Sequence, residues 1–331
     1  MSLKKIKVAF VYRPCSVLTS DYFFTVTYNF FMKSLRRNER IDVTYIPTGR
    51  VFDGRILKDK YDIVLLVENT DFGSGCMPDE VSGMVDLDIP VIARVGDPFA
   101  ATKKNTVDFH KKFKINAFFG FHHEQFFHQY YPKNYKYKTI LFGVEPTLYQ
   151  NLTPYRNRIK NRILNSGAIA NKKLPSRILC KLTKGESDPS LHYKLRTKCN
   201  ELPYVDYTTT LQHEYTGDKY PLLLQKYSAA IAATTTIYTT KYWEIPAAGC
   251  LTFMEITEKN HGKFLGFKDG ESAIFINEKN YTEKFEEYLH DVENPKWEKI
   301  ANAGREHALN NLNNDIAINS LVDLMEELIQ K

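Results

Sequence analysis

The chain has no apolar run long enough to cross a bilayer: the longest, Ile63 to Val67 and Ala229 to Ala233, fall far short of the ~20 residues a spanning helix needs. Cysteine is scarce. The five residues (Cys15, Cys76, Cys180, Cys199, Cys250) are odd in number, scattered and never spaced as CxxC, which excludes a disulfide framework or a zinc site and reads as reduced thiols. The opening residues, MSLKKIKVAF, pass from two lysines into strand-like alternation without an apolar leader or cleavage site, so a cytoplasmic location is expected rather than secretion. A dinucleotide fingerprint is also missing, since the GSG at Gly73 to Gly75 is too short and too far beyond the first strand. Charge is not concentrated in one sign. The net +6 fits solubility and mild attraction to phosphates, nucleotides or a peripheral membrane surface, and basic residues are dispersed apart from Arg156 to Arg162 and Lys172 with Lys173, so no nucleic-acid partner is expected.

What is present is an ordinary globular composition, 43% hydrophobic and 25% charged, over 331 residues, which exceeds one core and predicts two domains of ~150 residues each. Short β-branched runs alternate with longer mixed segments. Strands are predicted at Ile6 to Tyr12, Val43 to Ile46, Ile63 to Val67, Val91 to Val95, Ala117 to Phe119 and Thr139 to Phe142, with helical spacing at Tyr22 to Arg37 and Thr106 to Phe113. FGVEPTLYQN then ends the series, and the basic RNRIKNR reads as a linker. A second series follows from Ile163, with strands near Tyr204 to Tyr207, Ala229 to Ala233, Cys250 to Phe253 and Ala273 to Ile276, and helices from Pro175, at Tyr220 to Tyr227 and at the C-terminus. The expectation is an α/β protein of two Rossmann-like doubly wound domains facing a cleft, residues 1–148 and 149–331, with the last helix packing either on its own domain or back on the first.

The densest signal is KYWEIPAAGCLTF, Lys241 to Phe253. Glu244 is expected to open a short helix, Pro246 to sit in its first turn, and Ala247, Ala248 and Gly249 to allow close backbone approach before a strand. A carboxylate placed there suits the two vicinal hydroxyls of a ribose.

Four segments, in order, carry a family resemblance: FGVEPTLY, NSGAIANKKLPSR, YPLLLQKYSAAIAA followed by KYWEIPAAGCLTF, and GFKDGESAIFINEKNYTEKFEEYLHD with WEKIANAGREHAL. Together they resemble the GT-B fold glycosyltransferases of the group 1 type, in the branch of the spore maturation proteins. The resemblance covers residues 140 to 325 and implies that Glu244 binds the ribose of a nucleotide-sugar donor. A second glutamate, which in that group contacts the donor sugar eight positions earlier, is replaced by Thr236.

Glycosyl transfer leaves a diphosphate whose growing charge needs stabilising, by a metal on a DxD motif or by backbone amides with Lys or Arg. The DxD here, Asp86-Leu87-Asp88, reads as a solvated turn, so metal independence is expected. The diphosphate candidates are Gly167 with Lys172, Lys173 and Arg177 in the glycine loop, and Thr239, Thr240 and Lys241 ahead of Glu244. For the lysines and Arg177 the alternative is an ordinary surface loop, and for the threonines a plain β-rich stretch. Tyr215 or His213 is the candidate for stacking on the base. Asp97, in GDP after the fourth strand, is either a general base for an acceptor hydroxyl or a cap, and His122, with His123 and His128, is either a base or structural. Arg13 sits at a strand end where it can meet an anion, and Asp269-Gly270-Glu271 is expected to be a tight turn.

The aromatics Tyr22, Phe23, Phe24, Phe30, Phe31, Phe126, Phe127, Tyr130 and Tyr131 are either core or glycan platforms. The leading reading is a metal-independent glycosyltransferase with a nucleotide-sugar as co-substrate, no other cofactor, and a glycan, a lipid-linked molecule or a protein as acceptor. The alternative is a degenerate relative that binds a nucleotide or glycan without turnover.

Overall fold

The structure, a computed structural model, describes residues 4–15, 29–68, 75–98, 104–170, 189–208 and 214–330. The chain forms two compact units, Met1–Glu145 with Asn314–Lys331, and Pro146–Asn313. In the first, β1 (Ile6–Tyr12), β2 (Ile41–Pro47), β4 (Ile63–Leu66), β6 (Val91–Arg94), β7 (Ala117–Gly120) and β8 (Tyr137–Thr139) make an all-parallel sheet in the order β2-β1-β4-β6-β7-β8. Every residue of β4, β6 and β7 is buried, as required of strands covered on both faces. The short strands β3 (Val51–Asp53) and β5 (Glu80–Ser82) pair separately.

The last helix, Asn314–Ile329, belongs to this first unit: Ala317, Ile318, Leu321, Val322, Leu324 and Met325 lie in its core. Its start is pinned by Asn314, whose side chain accepts from the Gly143 amide (2.7 Å) and whose amide donates to the Val144 carbonyl (2.8 Å). Ion pairs from Arg40 to Asp323 and Lys136 to Glu327 flank it, half-exposed and worth little individually.

The second unit holds a parallel sheet in the order β10-β9-β11-β12-β13, from β9 (Ile159–Ser166), β10 (Val205–Thr208), β11 (Tyr227–Ala232), β12 (Leu251–Glu255) and β13 (Ile274–Ile276). The chain steps from β9 to β10 on one side and returns to β11 on the other. That reversal makes a switch point between β9 and β11, and such points are where open α/β sheets take ligands, at the strands' carboxyl ends.

Several sequence expectations shift. The basic stretch read as a linker is half strand: β9 starts at Ile159, its first half alternates exposed and half-buried, and Lys160 and Arg162 pair with Glu293 and Asp206. β8 lies at Tyr137–Thr139, earlier than Thr139 to Phe142: the Ile140 amide still reaches the Gly120 carbonyl (2.8 Å), but the pairing goes no further, and Ile140 and Phe142 fill the core. The helix at Tyr220 stops at Leu224 because Tyr227 opens β11. The helix at Glu244 begins earlier, at Lys241, which puts Pro246 in its last turn; Gly249, at φ +72°, ends it. Gly270 has φ +70° in the expected tight turn. The first part of the predicted helix at Tyr22, as far as Tyr28, lies outside the described residues, as do Gly73 and Ser74 of the GSG, the helix from Pro175 and Cys180. Cys15, Cys76, Cys199 and Cys250 form no disulfide, although the Cys15 and Cys76 sulfurs approach to 2.6 Å. Among the described residues no helix is long and apolar enough to cross a membrane.

The helix Pro295–Asn311 packs on the helix that carries Glu244 through Gly304: a Cβ there would lie 2.4 Å from the Ser272 carbonyl oxygen and 3.5 Å from Pro246 Cβ. Backbone cannot yield as a side chain does. Gly304→Ala is therefore expected to destabilise the second unit by about 2 kcal/mol despite its better helix propensity, a loss read by urea denaturation.

Candidate functional site

The carboxyl ends of β9 and β11 gather two cations around one glycine. Gly167, directly after β9, is fixed by its amide to the Thr208 carbonyl (3.0 Å) and by the Tyr207 hydroxyl to its own carbonyl (2.9 Å). A Cβ on it would stand 2.7 Å from Lys241 Cε and 3.0 Å from Arg196 Nη1, so both side chains occupy space that only glycine leaves. Lys241 opens the helix Lys241–Ala247, its ammonium 3.4 Å from the Tyr220 hydroxyl, which shares a 2.6 Å hydrogen bond with Ser166. Desolvation, then the Arg196 charge, push the Lys241 ammonium down to about 8. Glu244, one turn along the same helix, is 5% exposed. Burial pushes its carboxyl up, while the Lys241 charge and the Thr240 hydroxyl pull it back.

Arg196 lies on the short helix Lys194–Cys199, whose Leu195 and Cys199 enter the core and carry the guanidinium in with them, 1% exposed. Its Nη1 donates weakly to the Ala168 carbonyl (3.4 Å), and the Tyr193 ring centre is 4.8 Å away. Nε and Nη2 have no partner among the described residues. A buried guanidinium costs several kcal/mol unless an acceptor meets it, which makes this a place for an anion. Asn165 Oδ1, Thr208 Oγ1, Thr239 Oγ1 and Glu255 Oε2 are likewise buried without partners among the described residues, all near the carboxyl ends of the same sheet.

Glu255 closes β12 at 3% exposure. Its backbone carbonyl accepts from the Tyr242 hydroxyl (2.8 Å) and the Asn260 side-chain amide (2.7 Å), and the same two groups bind Thr234 beyond β11, so the two strand ends are locked together. Burial raises the Glu255 carboxyl to about 7, opposed by Arg196. Thr236 hydrogen-bonds the His192 ring.

Of the residues singled out in the sequence, Gly167, Lys241 and Glu244 come together here, with Thr239 and Thr240 immediately before the helix. Tyr215 instead meets the Lys226 ammonium with its hydroxyl and its ring face (4.1 Å). Lys172, Lys173, Arg177 and His213 lie outside the described residues. In the first unit Asp97 is exposed just beyond β6, after Gly96, where a Cβ would meet the buried Glu68 carboxylate that pairs with Arg94. His122 is 1% exposed, its ring against Phe121 and Phe126 and its carbonyl bound by Tyr137 and Thr139. Arg13 pairs with Asp79 at 3.1 Å, and Asp86 and Asp88 are exposed around a buried Leu87.

No family model and no curated protein sequence matches the chain. Solved structures do. A glycosyltransferase from Rickettsia africae aligns over 99% of this chain and 100% of its own, with a TM-score of 0.57 at 12% identity. Anabaena HepE in complex with UDP-glucose covers 98% of this chain and 100% of its own (TM-score 0.56, 11% identity). An alpha-glucosyltransferase in complex with UDP-glucose and DNA containing an abasic site has the same coverage and TM-score at 8% identity. The chain has the GT-B fold. At such identities the likeness is one of fold, and the roles of individual residues rest on the geometry of this GT-B chain itself. Sequence reading missed Arg196 and Glu255. Glu255 carried the same signal as Asp97, an acid at the carboxyl end of an apolar strand, whereas Lys194, Arg196 and Lys198 look alike until the fold turns one of them inward.

Proposed function

We propose that this protein is a glycosyltransferase that takes a sugar from a nucleoside-diphosphate sugar and passes it to an acceptor hydroxyl. The observation that carries the reading is the pair of cations at Gly167: Arg196, buried with two nitrogens unpartnered among the described residues, and Lys241, largely desolvated beside it. Two adjacent cations at the switch point of a parallel sheet suit a diphosphate, and Glu244, a turn from Lys241, suits the ribose next to it.

In this reading the diphosphate leaves as an anion already faced by fixed positive charge, which does the work otherwise done by a divalent metal and makes the transfer metal-independent. Glu244 accepts hydrogen bonds from the two ribose hydroxyls, which favour its charged form against burial. Gly167 keeps the backbone low enough for phosphate oxygens to approach. Asp97, exposed at a strand's carboxyl end, is the base assigned to the acceptor hydroxyl. Uridine is the first base to test, because the HepE and alpha-glucosyltransferase structures of the same fold contain UDP-glucose.

A nucleoside diphosphate at ~100 times its dissociation constant is expected to stabilise the wild type by about 2.7 kcal/mol, a shift of roughly 5 °C or more in melting temperature. Glu244→Ala is expected to lose that shift, and UDP-glucose is expected to release UDP in the presence of wild type but not of the variant. A panel of UDP, GDP and dTDP that moves nothing, with no nucleotide released from their glucose conjugates, would overturn the reading.

A further inference from the structure

Glu255 and Arg196 are buried opposite charges that attract each other without touching. Arg196 Nε and Nη2 and Glu255 Oε2 all lack partners among the described residues, although the Arg196 charge draws the Glu255 carboxyl toward its ionised form. The other groups facing Glu255 are the Thr235 hydroxyl, Lys194 from the Arg196 helix, and Glu278 from beyond β13, itself paired with Lys194 and Lys198. The Thr235 hydroxyl lies near enough to favour the ionised carboxyl, yet Oε2 has no partner in hydrogen-bonding geometry among the described residues. The backbone that carries the carboxylate is fixed, because Tyr242 and Asn260, at 0% and 1% exposure, both donate to the Glu255 main-chain carbonyl. A dry acceptor and a dry cation, both at the carboxyl ends of one sheet, suit a ligand that offers an anion and a hydroxyl donor together.

We infer that Glu255 binds a ring hydroxyl of the donor's sugar while Arg196 holds the diphosphate bonded to that same ring. The inference rests on the donor reading above and extends it: a sugar nucleotide carries both groups in one place, whereas the spent nucleoside diphosphate leaves Oε2 without a donor. Glu255 thereby distinguishes loaded donor from product. A buried acceptor built for a hydroxyl penalises the ligand that lacks it, since the acceptor stays desolvated and unpaired.

Calorimetric titration of wild type and Glu255→Met, which keeps the length of the side chain and removes its oxygen acceptors, with UDP and UDP-glucose, and with GDP and GDP-mannose, tests this. In wild type one sugar conjugate is expected to bind at least tenfold tighter than its own nucleoside diphosphate. In Glu255→Met the nucleoside diphosphate is expected to bind within threefold of wild type, which also reports an intact fold, and the sugar's tenfold gain to vanish. A gain that survives in the variant, or a parallel loss of both ligands, overturns the assignment of Glu255 while leaving the donor reading in place. Wild type that binds no nucleotide at all overturns the donor reading, and the role of Glu255 falls with it. Deoxy-sugar conjugates on the wild type give an answer that does not depend on the variant: one missing hydroxyl is expected to cost the whole gain, and graded small losses spread over every hydroxyl would overturn the assignment.

Discussion

Arg196→Met is expected to make the unliganded protein more stable and its nucleotide binding far weaker, two effects of opposite sign from one substitution. The guanidinium is 1% exposed with two nitrogens unpartnered among the described residues, so the folded state bears its desolvation for only a weak bond to the Ala168 carbonyl and the Tyr193 ring in return. Burial holds the pKa of Arg196 below the usual guanidinium value, the same cost seen from the titration side. Methionine fills the space against Tyr193 with no charge to desolvate, a gain of about 2 kcal/mol by comparison with other buried-charge replacements. The expected rise in melting temperature is roughly 4–8 °C for a unit of this size. On the ligand side, losing two charge-assisted hydrogen bonds to phosphate costs about 3 kcal/mol, or roughly a hundredfold in affinity. Thermal melts with and without UDP read both. Retained affinity, or a lower melting temperature without ligand, would show that Arg196 serves the packing of its own helix.

The second large effect concerns pH. Burial raises the Glu255 carboxyl from an ordinary 4.5 to about 7, so between those values the folded protein keeps a proton that the unfolded chain has released. Its contribution to stability is therefore present below about 4.5 and is lost as pH rises through about 7, where the carboxylate must ionise while buried. With each pK unit worth about 1.4 kcal/mol, the loss across the window is about 3 kcal/mol. Glu255→Gln removes the titration and keeps the shape. Urea denaturation at pH 5 and pH 8 is expected to find the variant level with wild type at the acid end and more stable by about 3 kcal/mol at the alkaline end. Equal differences at both values would mean that the carboxyl does not titrate in this range. The side chains expected to hold the donor are in this account the ones that burden the empty fold, a common trade between function and stability.

The sequence displayed the sheets well because their central strands are unbroken apolar runs, buried on both faces, and such runs need no partner to be recognised. It hid β3 and β5, three residues each, which are too short to show a period. It misplaced the start of β9 because Arg158, Lys160 and Arg162 look solvated in isolation; Arg158 is in fact buried, donating to the Thr153 and Ala248 carbonyls. In the site, Lys241 and Glu244 were legible because they share one helix, and Gly167 because it ends a strand. Arg196 and Glu255 reach the same place from elements 59 positions apart in the chain, through contacts that only the folded sheet creates.

The closing helix has a consequence for how the molecule is made. Asn314–Ile329 supplies six side chains to the core of the unit that begins with β1, and the whole of Pro146–Asn313 is spelled out between them. A ribosome therefore delivers the inserted unit as one uninterrupted stretch, able to fold as it emerges, while the sheet that begins with β1 waits for six of its core side chains until Asn314–Ile329 arrives. The sheet whose strands are translated earlier is thus completed after the unit inserted into it.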